Sequence, residues 1–179
     1  MKTFKNFLKE NRERRVYLDM DGVLVDFVAG IRKLTGTKLD SNSKEFSEIV
    51  GEVLQKSKSG ELPGFWEELP LLNDGLKLAK YISKKGHDIH ILSSCSGDLI
   101  YCKKEKYKWV RKNVGRYIPI SNVIVTKTAT EKLKYLEDGD ILIDDFKKNV
   151  ERWNSSGGIG IWHIDGMYSK TISKLEKHL

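Results

Sequence analysis

The sequence is poor in the residues that mark secreted and membrane proteins. Among 179 residues it has two cysteines and three prolines, and its apolar runs are too short to cross a bilayer. Cys95 and Cys102 form neither a CxxC pair nor a disulfide ladder, and the start of the chain lacks the apolar core of a signal peptide. We therefore expect a cytoplasmic protein in a reducing setting, with Cys95 in a loop and no membrane partner.

Apolar residues are nevertheless frequent enough to build a folded core. Hydrophobic residues make up 39% of the chain and aromatic residues 9%, which excludes a disordered protein. The length suits one domain that carries a small insertion. We expect this domain to be a monomer or a homodimer.

Positive charge exceeds negative charge. The chain has 32 lysines and arginines against 25 acidic residues, a formal net charge of +7, and much of the excess lies in residues 1–15. Such a balance favours acidic or phosphorylated partners. Because a short basic arm is more often a solvated surface than a nucleic-acid site, we expect a phosphorylated small molecule, and nucleic acid is the less favoured partner.

Short apolar segments alternate with helical patterns along the chain. Strands are predicted at 15–20, 87–93, 122–126, 140–144 and 158–163. Helices are predicted at 73–85, 98–114, 146–154 and 169–178. This alternation predicts an α/β fold in which a parallel five-stranded sheet lies between helices.

The stretch between the first two predicted strands is too long for a simple crossover. Within it, apolar residues recur at steps of three and four and predict one helix, followed by a loop at 56–60; they are Phe46, Ile49, Val50, Val53 and Leu54. We therefore predict a small helical cap at 27–73, inserted into a core formed by residues 1–26 and 74–179.

Two acidic pairs stand at the ends of predicted strands. Asp19 and Asp21 follow the first strand and, being two residues apart on an extended chain, project the same way. Asp144 and Asp145 end the fourth strand. Each pair alone is consistent with the capping of a following helix or turn.

Both pairs together indicate a functional site. The carboxyl ends of parallel strands form the ligand-binding edge of an open α/β sheet. Carboxylates that converge there repel each other unless a cation or a shared proton offsets the repulsion. Mg2+ is the expected cation, because it favours carboxylate oxygens, retained waters and substrate phosphate.

These features resemble the haloacid dehalogenase superfamily of phosphotransferases, whose pattern is DxDGxx, a strand-end Ser or Thr, a Lys and an acidic pair. Within it the chain looks most like the 5'(3')-deoxyribonucleotidases of phage and bacterial type. The segments that carry this resemblance are DMDGVLVDF, FWEELPLL from residue 65, EKYKWV from residue 105 and GDILIDD from residue 139. The resemblance implies a Rossmann-like core with a cap after the first strand.

The resemblance also implies roles for the acidic residues. Asp19 would be the nucleophile, forming an aspartyl-phosphate. Asp21 would act as general acid and then as general base, and its backbone carbonyl would bind Mg2+. Asp19 and either Asp144 or Asp145 would complete the metal site, with the other of these two behind it.

Further catalytic positions follow from the same resemblance. Ser93 matches the residue that holds the phosphoryl oxygens, with Ser94 as its nearest alternative in substrate binding. Lys134 best matches the lysine that neutralises Asp19 and the phosphoryl group, because it stands ten residues before Asp144. Lys132 and Lys127 are the alternatives.

Substrate choice is expected to lie in the cap, where aromatic rings can stack on a base. Phe27 matches a pocket aromatic of the nucleotidases, and Phe65 and Trp66 lie near another. Packing in the core is the competing interpretation for these rings. The segment SSCSGD after the second strand departs from the family, in which a proline usually follows the serine.

The expected function is a Mg2+-dependent phosphomonoesterase that acts on nucleoside monophosphates through an aspartyl-phosphate. Two alternatives stand beside it: a polynucleotide end phosphatase, for which the basic arm could follow a nucleic-acid backbone, and a non-catalytic nucleotide-binding module that retains the fold.

Overall fold

One parallel sheet of five strands organises the molecule. The computed structural model describes residues 13–95 and 100–179. Its strands are β1 Val16–Leu18, β2 Ile89–Ser94, β3 Val123–Thr126, β4 Ile141–Asp144 and β5 Ile159–Trp162. They pair in the order β3-β2-β1-β4-β5, and every neighbouring pair is parallel. The predicted α/β fold with a parallel five-stranded sheet is confirmed.

Helices occupy the connections between the strands. They are α1 Phe27–Thr35, α2 Lys44–Ser59, α3 Asn73–Lys84, α4 Ile100–Asn113, α5 Lys147–Ser155 and α6 Tyr168–Leu175, with 3-10 segments at Ile120–Asn122 and Ala129–Tyr135. The predicted helix start at residue 98 and most of the basic arm lie outside the described residues. In the part of the chain that the structure describes, no helix combines the length and apolar character needed to cross a bilayer.

The insertion after β1 contains α1 and α2. The loop expected at 56–60 is wrong, because α2 continues to Ser59. Gly60 ends this helix in the left-handed conformation, at φ 79°, and its N–H donates to the carbonyls of Lys56 and Ser57. Glycine adopts this conformation at little cost, so it is a favoured helix end.

β1 is the central strand, and the core forms around it. Its three residues are fully buried, as expected for a strand covered by helices on both faces. Leu18 lies in register between Ile91 of β2 and Ile143 of β4. The residues that follow these three strands therefore meet at one edge of the sheet.

The α3 helix packs closely on the turn that follows β1. A Cβ atom on Gly75 would lie 2.1 Å from the carbonyl oxygen of Val23, which is far inside van der Waals contact. Glycine at this position therefore lets the helix approach the backbone next to the acidic pair Asp19 and Asp21.

The two cysteines form a disulfide, which the reducing setting expected from the sequence does not favour. Cys95 follows β2 and Cys102 lies in the first turn of α4, with their Cα atoms 5.9 Å apart. The positions of the end of β2 and the first turn of α4 bring them together over a separation of seven residues. The bond therefore fastens the end of β2 to the start of α4.

We expect this disulfide to stabilise the fold. Closing so short a loop restricts the unfolded chain by about 2.5 kcal/mol. Urea unfolding with and without a reductant should show a loss of this size in the free energy of unfolding. A Cys95→Ala/Cys102→Ala double variant should match the reduced protein and be insensitive to reductant; coincident curves for oxidised and reduced protein would contradict the prediction.

Candidate active site

Four carboxylates gather at the carboxyl edge of the sheet. Asp19 directly follows β1, and Asp144 ends the neighbouring strand β4. Oxygen atoms of Asp19, Asp144 and Asp145 lie within 4.8 Å of one another. Asp21 is near enough to Asp19 and Asp145 to interact with both electrostatically. The structure thus brings the two acidic pairs of the sequence to one place.

Gly22 makes this arrangement sterically accessible. Its φ of 75° lies in the left-handed region, and its N–H donates to the carbonyl of Val25 at 2.9 Å. A Cβ atom on Gly22 would lie 2.0 Å from Oδ2 of Asp145. Any larger residue would therefore push the Asp145 carboxylate away from the other acidic groups.

Lys132 supplies positive charge at the centre of the cluster. Its Nζ lies 3.0 Å from Oδ1 of Asp19 and 2.8 Å from Oδ2 of Asp144. Burial acts to lower the pKa of Lys132, but the charges of Asp19 and Asp144 outweigh this effect and raise the pKa above its ordinary value. The ammonium is therefore held in its charged form between two carboxylates.

The prediction that Lys134 lies beside Asp19 is wrong. The side chain of Lys134 is 68% exposed and pairs with Glu131 at 3.0 Å. Both lysines belong to the 3-10 segment Ala129–Tyr135, in which three residues complete a turn, so residues two apart point in different directions. Lys132 points inward, and Lys127, the other alternative, is exposed.

Asp144 is almost fully engaged by groups of the protein. It accepts hydrogen bonds from Lys132, from the amide of Asn149 and from the backbone N–H of Phe146. Burial and the neighbouring charge of Asp19 raise its pKa, while Lys132 opposes the rise. These donors fix the side chain and leave it little capacity for another ligand.

Asp145 is also electrostatically destabilised as a carboxylate. Desolvation and repulsion from Asp19, Asp144 and Asp21 together raise its pKa to about 8. Lys132 only partly compensates. A carboxylate held in this state is stabilised by a proton or by a bound cation.

A second buried lysine, Lys106 of α4, pairs with the other acidic residue of the first motif. Its side chain is 0% exposed, and Nζ lies 2.7 Å from Oδ2 of Asp21. Nζ also donates to the hydroxyl of Ser93 at 2.9 Å and to the carbonyl of Ser94 at 3.0 Å. Lys106 therefore joins the end of β2 to the acidic turn after β1.

Desolvation raises the pKa of Asp21. The charge of Lys106 opposes the shift, and that of Asp19 adds to it. Asp21 Oδ1 is buried and lacks a hydrogen-bond partner within residues 13–95 and 100–179. A raised pKa is what a residue needs to donate a proton near neutral pH.

Sequence reasoning missed Lys106 and Asn149. One signal for Lys106 was available, since it shares a helix face with Cys102, Trp109 and Val110, which are all buried. A lysine within an apolar stripe must find a buried partner. Asn149 lies five residues after Asp144 on α5, where the sequence pattern is that of an ordinary helix surface.

The predicted substrate-binding aromatics pack against each other. Phe27 and Trp66 stack with ring centroids 5.7 Å apart, and Phe65 meets Trp66 edge-on at 5.0 Å. Phe65 and Trp66 are buried, whereas Phe27 is only partly buried. Lys106 Nζ lies 4.6 Å from the centroid of a Trp66 ring, so this cluster adjoins the acidic site.

The donor set fits a divalent cation of the magnesium class. Its ligand atoms are carboxylate oxygens, which Mg2+ prefers. Asp145 has a raised pKa, and Asp21 Oδ1 has no hydrogen-bond partner among the described residues. A bound cation would stabilise both carboxylates. Asp145 has more free capacity for this than Asp144, because Asp144 already accepts from three residues.

Known proteins of one family are similar in sequence to this chain. The model of the family described as 5' nucleotidase, deoxy (pyrimidine), cytosolic type C protein matches residues 13–166. The mouse mitochondrial 5'(3')-deoxyribonucleotidase is 31% identical over 75% of this chain and 66% of its own length. The human cytosolic-type 5'(3')-deoxyribonucleotidase is 27% identical over 75% of this chain and 71% of its own length.

Solved structures show the same fold at low sequence identity. A haloacid dehalogenase hydrolase of family IA from Entamoeba histolytica is 15% identical, with a TM-score of 0.53 over 86% of this chain and 85% of that chain. An enzyme of the same superfamily from Bacteroides thetaiotaomicron, in complex with magnesium and inorganic phosphate, is 14% identical, with a TM-score of 0.50 over 87% and 96%. The chain therefore belongs to the family described as 5' nucleotidase, deoxy (pyrimidine), cytosolic type C protein and is an enzyme of the nucleotidase type, and its fold is that of haloacid dehalogenase hydrolases.

Proposed function

We propose that the protein is a Mg2+-dependent phosphatase that dephosphorylates nucleoside monophosphates, preferably deoxyribonucleotides, through an aspartyl-phosphate on Asp19. The observation that carries the proposal is the meeting of Asp19, Asp21, Asp145 and Lys132 at the sheet edge. The named activities of the mouse and human relatives support a nucleotide substrate.

The metal site would use Asp19, Asp145 and the backbone carbonyl of Asp21. Asp144 would stand behind it, because its oxygens already hold Lys132 and Asn149. When bound, Mg2+ supplies positive charge at the phosphoryl oxygens and helps to orient the phosphate. The magnesium and phosphate in the Bacteroides structure are consistent with this assignment.

In the first step, a carboxylate oxygen of Asp19 attacks phosphorus and forms a P–O bond while the bond from phosphorus to the nucleoside oxygen breaks. Asp21 donates its proton to that leaving oxygen, which departs as an alcohol. In the second step, Asp21 takes a proton from a water molecule that attacks phosphorus. The acyl-phosphate bond breaks, inorganic phosphate forms and Asp19 is regenerated.

Two lysines are placed to stabilise the negative charge that develops during these steps. Lys132 lies beside Asp19, where it can stabilise negative charge on the phosphoryl group. Lys106 pairs with Asp21 and is placed to stabilise the carboxylate that remains after proton donation. Ser93, held by Lys106, and Ser94 would contact the phosphoryl oxygens at the end of β2.

Substrate choice would come from the cap at 27–73. Phe27 is the most accessible ring of the aromatic cluster and is the residue we propose to stack on the base, while Phe65 and Trp66 support it from the interior. Cytoplasmic location remains a prediction. The cytosolic-type human relative is consistent with it, whereas the Cys95–Cys102 disulfide is unusual in a reducing compartment.

Phosphate release from a panel of substrates tests the proposed function. Deoxyribonucleoside and ribonucleoside monophosphates, with 5' or 3' phosphates, are compared with a phosphorylated oligonucleotide at equal phosphate concentration, with Mg2+ or with EDTA. We expect turnover of mononucleotides that requires Mg2+ and is abolished by Asp19→Asn, which removes the nucleophile. Turnover of the oligonucleotide alone would favour the polynucleotide end phosphatase, and turnover in EDTA would refute the metal requirement.

Lys132 and Lys134 form a matched pair for mutagenesis. Lys132→Met removes the charge beside Asp19 while retaining a side chain of similar length, so we expect kcat to fall about 100- to 1000-fold. Lys134→Met should change kcat less than about twofold, since that side chain is exposed and pairs only with Glu131 in the described structure. Thermal unfolding of both variants checks folding. Equal losses in the two variants would contradict the assignment of Lys132.

The raised pKa of Asp145 predicts a link between Mg2+ binding and protons. At pH 7 the metal-free group, with a pKa of about 8, is mostly protonated, and binding of a cation must displace that proton. Apparent Mg2+ affinity should therefore rise by up to about tenfold per pH unit and level off above about pH 8.

Calorimetry in buffers of different ionisation enthalpy measures the protons released. At pH 7 we expect a value near one in the native protein. The value should fall towards zero in Asp145→Asn and remain unchanged in Glu151→Gln, an exposed residue of α5. Affinity independent of pH between about 6 and 8 would show that Asp145 does not titrate with the metal.

A further inference from the structure

A second group of metal-ligand side chains lies apart from the catalytic carboxylates. It consists of Asp74 in the first turn of α3, His163 directly after β5 and Asp165 in the connection to α6. One ligand atom from each of these residues lies within 4.8 Å of the others. None of the three has a part in the reaction proposed above.

His163 is the residue that points to a ligand. Its side chain is buried, with 0% exposure, and Nδ1 lies 2.8 Å from the hydroxyl oxygen of Thr171 on α6. Nε2 is buried and has no hydrogen-bond partner in the described parts of the chain. An unpaired polar atom in the interior is costly. Since Nδ1 is taken by Thr171, Nε2 is the nitrogen left for the two carboxylates.

Thr171 gives the imidazole the support that metal-binding histidines usually have. Donation from Nδ1–H to the Thr171 hydroxyl fixes the orientation of the ring and leaves the lone pair of Nε2 for the metal. Thr171 is itself 2% exposed, so this contact is held inside the protein.

The two carboxylates complete a site that is reachable from solvent. Asp74 is 7% exposed, and its oxygens accept from the N–H of Tyr168 at 3.1 Å and from Lys77 Nζ at 3.2 Å. Each carboxylate oxygen has a further lone pair, and the Lys77 side chain is 49% exposed and can turn into water. Asp165 is exposed and free to close over an ion.

We propose that Asp74, His163 and Asp165 bind a divalent transition metal of the zinc class, which fastens α3 to the segment between β5 and α6. Imidazole nitrogen and carboxylate oxygen are both ligands that Zn2+ accepts, and a water molecule can supply the fourth position. Mg2+ prefers oxygen ligands only, so the two sites select different cations. The role is structural, because the site joins α3 to the connection between β5 and α6 and contains no group that the reaction requires.

Cobalt spectroscopy separates this site from the catalytic one. An Asp19→Asn/Asp145→Asn background weakens cation binding at the sheet edge, and Co2+ is titrated into the chelator-treated full chain. We expect one equivalent of Co2+ to give visible d–d absorption and Zn2+ to displace it. Zn2+ at 100 times its Kd should also raise the melting temperature by about 5 °C or more.

Variants of the ligands decide the outcome. In the same background, His163→Gln should abolish the Co2+ absorption, and Asp165→Asn, at an exposed position that does not threaten folding, should weaken Co2+ binding at least about tenfold. His90→Gln is the matched histidine control and should leave binding unchanged. Absence of Co2+ binding in the background protein would overturn the proposal, as would binding that persists in both His163→Gln and Asp165→Asn. In that case Asp74 serves only to accept from the N-terminus of α6.

Discussion

The repulsion among four carboxylates at one sheet edge is the constraint on which the active site depends. Asp19, Asp21, Asp144 and Asp145 are opposed inside the protein by two ammonium groups, those of Lys132 and Lys106. With all six groups ionised, two negative charges remain. Those two negative charges match one divalent cation, and the raised pKa of Asp145 is one consequence of the uncompensated charge.

The fold creates this constraint through strand order. Because β1 lies between β2 and β4, the residues after these three strands are forced together whatever their charge. Gly22 lets Asp145 approach the turn after β1, and Gly75 lets α3 pack against the same turn. The backbone therefore holds the carboxylates in place, and their electrostatic energy remains available for binding a cation and phosphate.

The carboxylates of the site could be predicted from the sequence, because the sequence pattern shows where the strands end. Apolar runs locate the strands, and parallel strands share a ligand-binding edge, so Asp19 and Asp145 were expected to meet. The basic half could not be read in this way. Which of Lys132 and Lys134 points inward depends on the 3-10 geometry of Ala129–Tyr135, and Lys106 reaches Asp21 from a helix 85 residues further along the chain.

The Cys95–Cys102 disulfide could not be predicted for a similar reason. Two cysteines seven residues apart do not indicate a disulfide by spacing alone, and the pairing depends on where the end of β2 lies relative to the first turn of α4. The cap at 27–73 stays a prediction, but helix α2 within it was predictable, since it shows a clear apolar face. Its end was not, because Gly60 stops the helix later than the apolar pattern does.

Two consecutive residues of helix α4 contact the segment at 64–66 on one side and the acidic site on the other. Glu105 accepts hydrogen bonds from the N–H groups of Gly64 and Trp66, and so fixes the segment that carries the aromatic cluster. Lys106 holds Asp21 and Ser93. Since adjacent helical residues move together, a shift of the aromatic cluster against α4 must alter either the Glu105 bonds or the charge that faces Asp21. The segment at 64–66, which carries two rings of the aromatic cluster, and the Asp21 carboxylate are therefore held by the same rigid element.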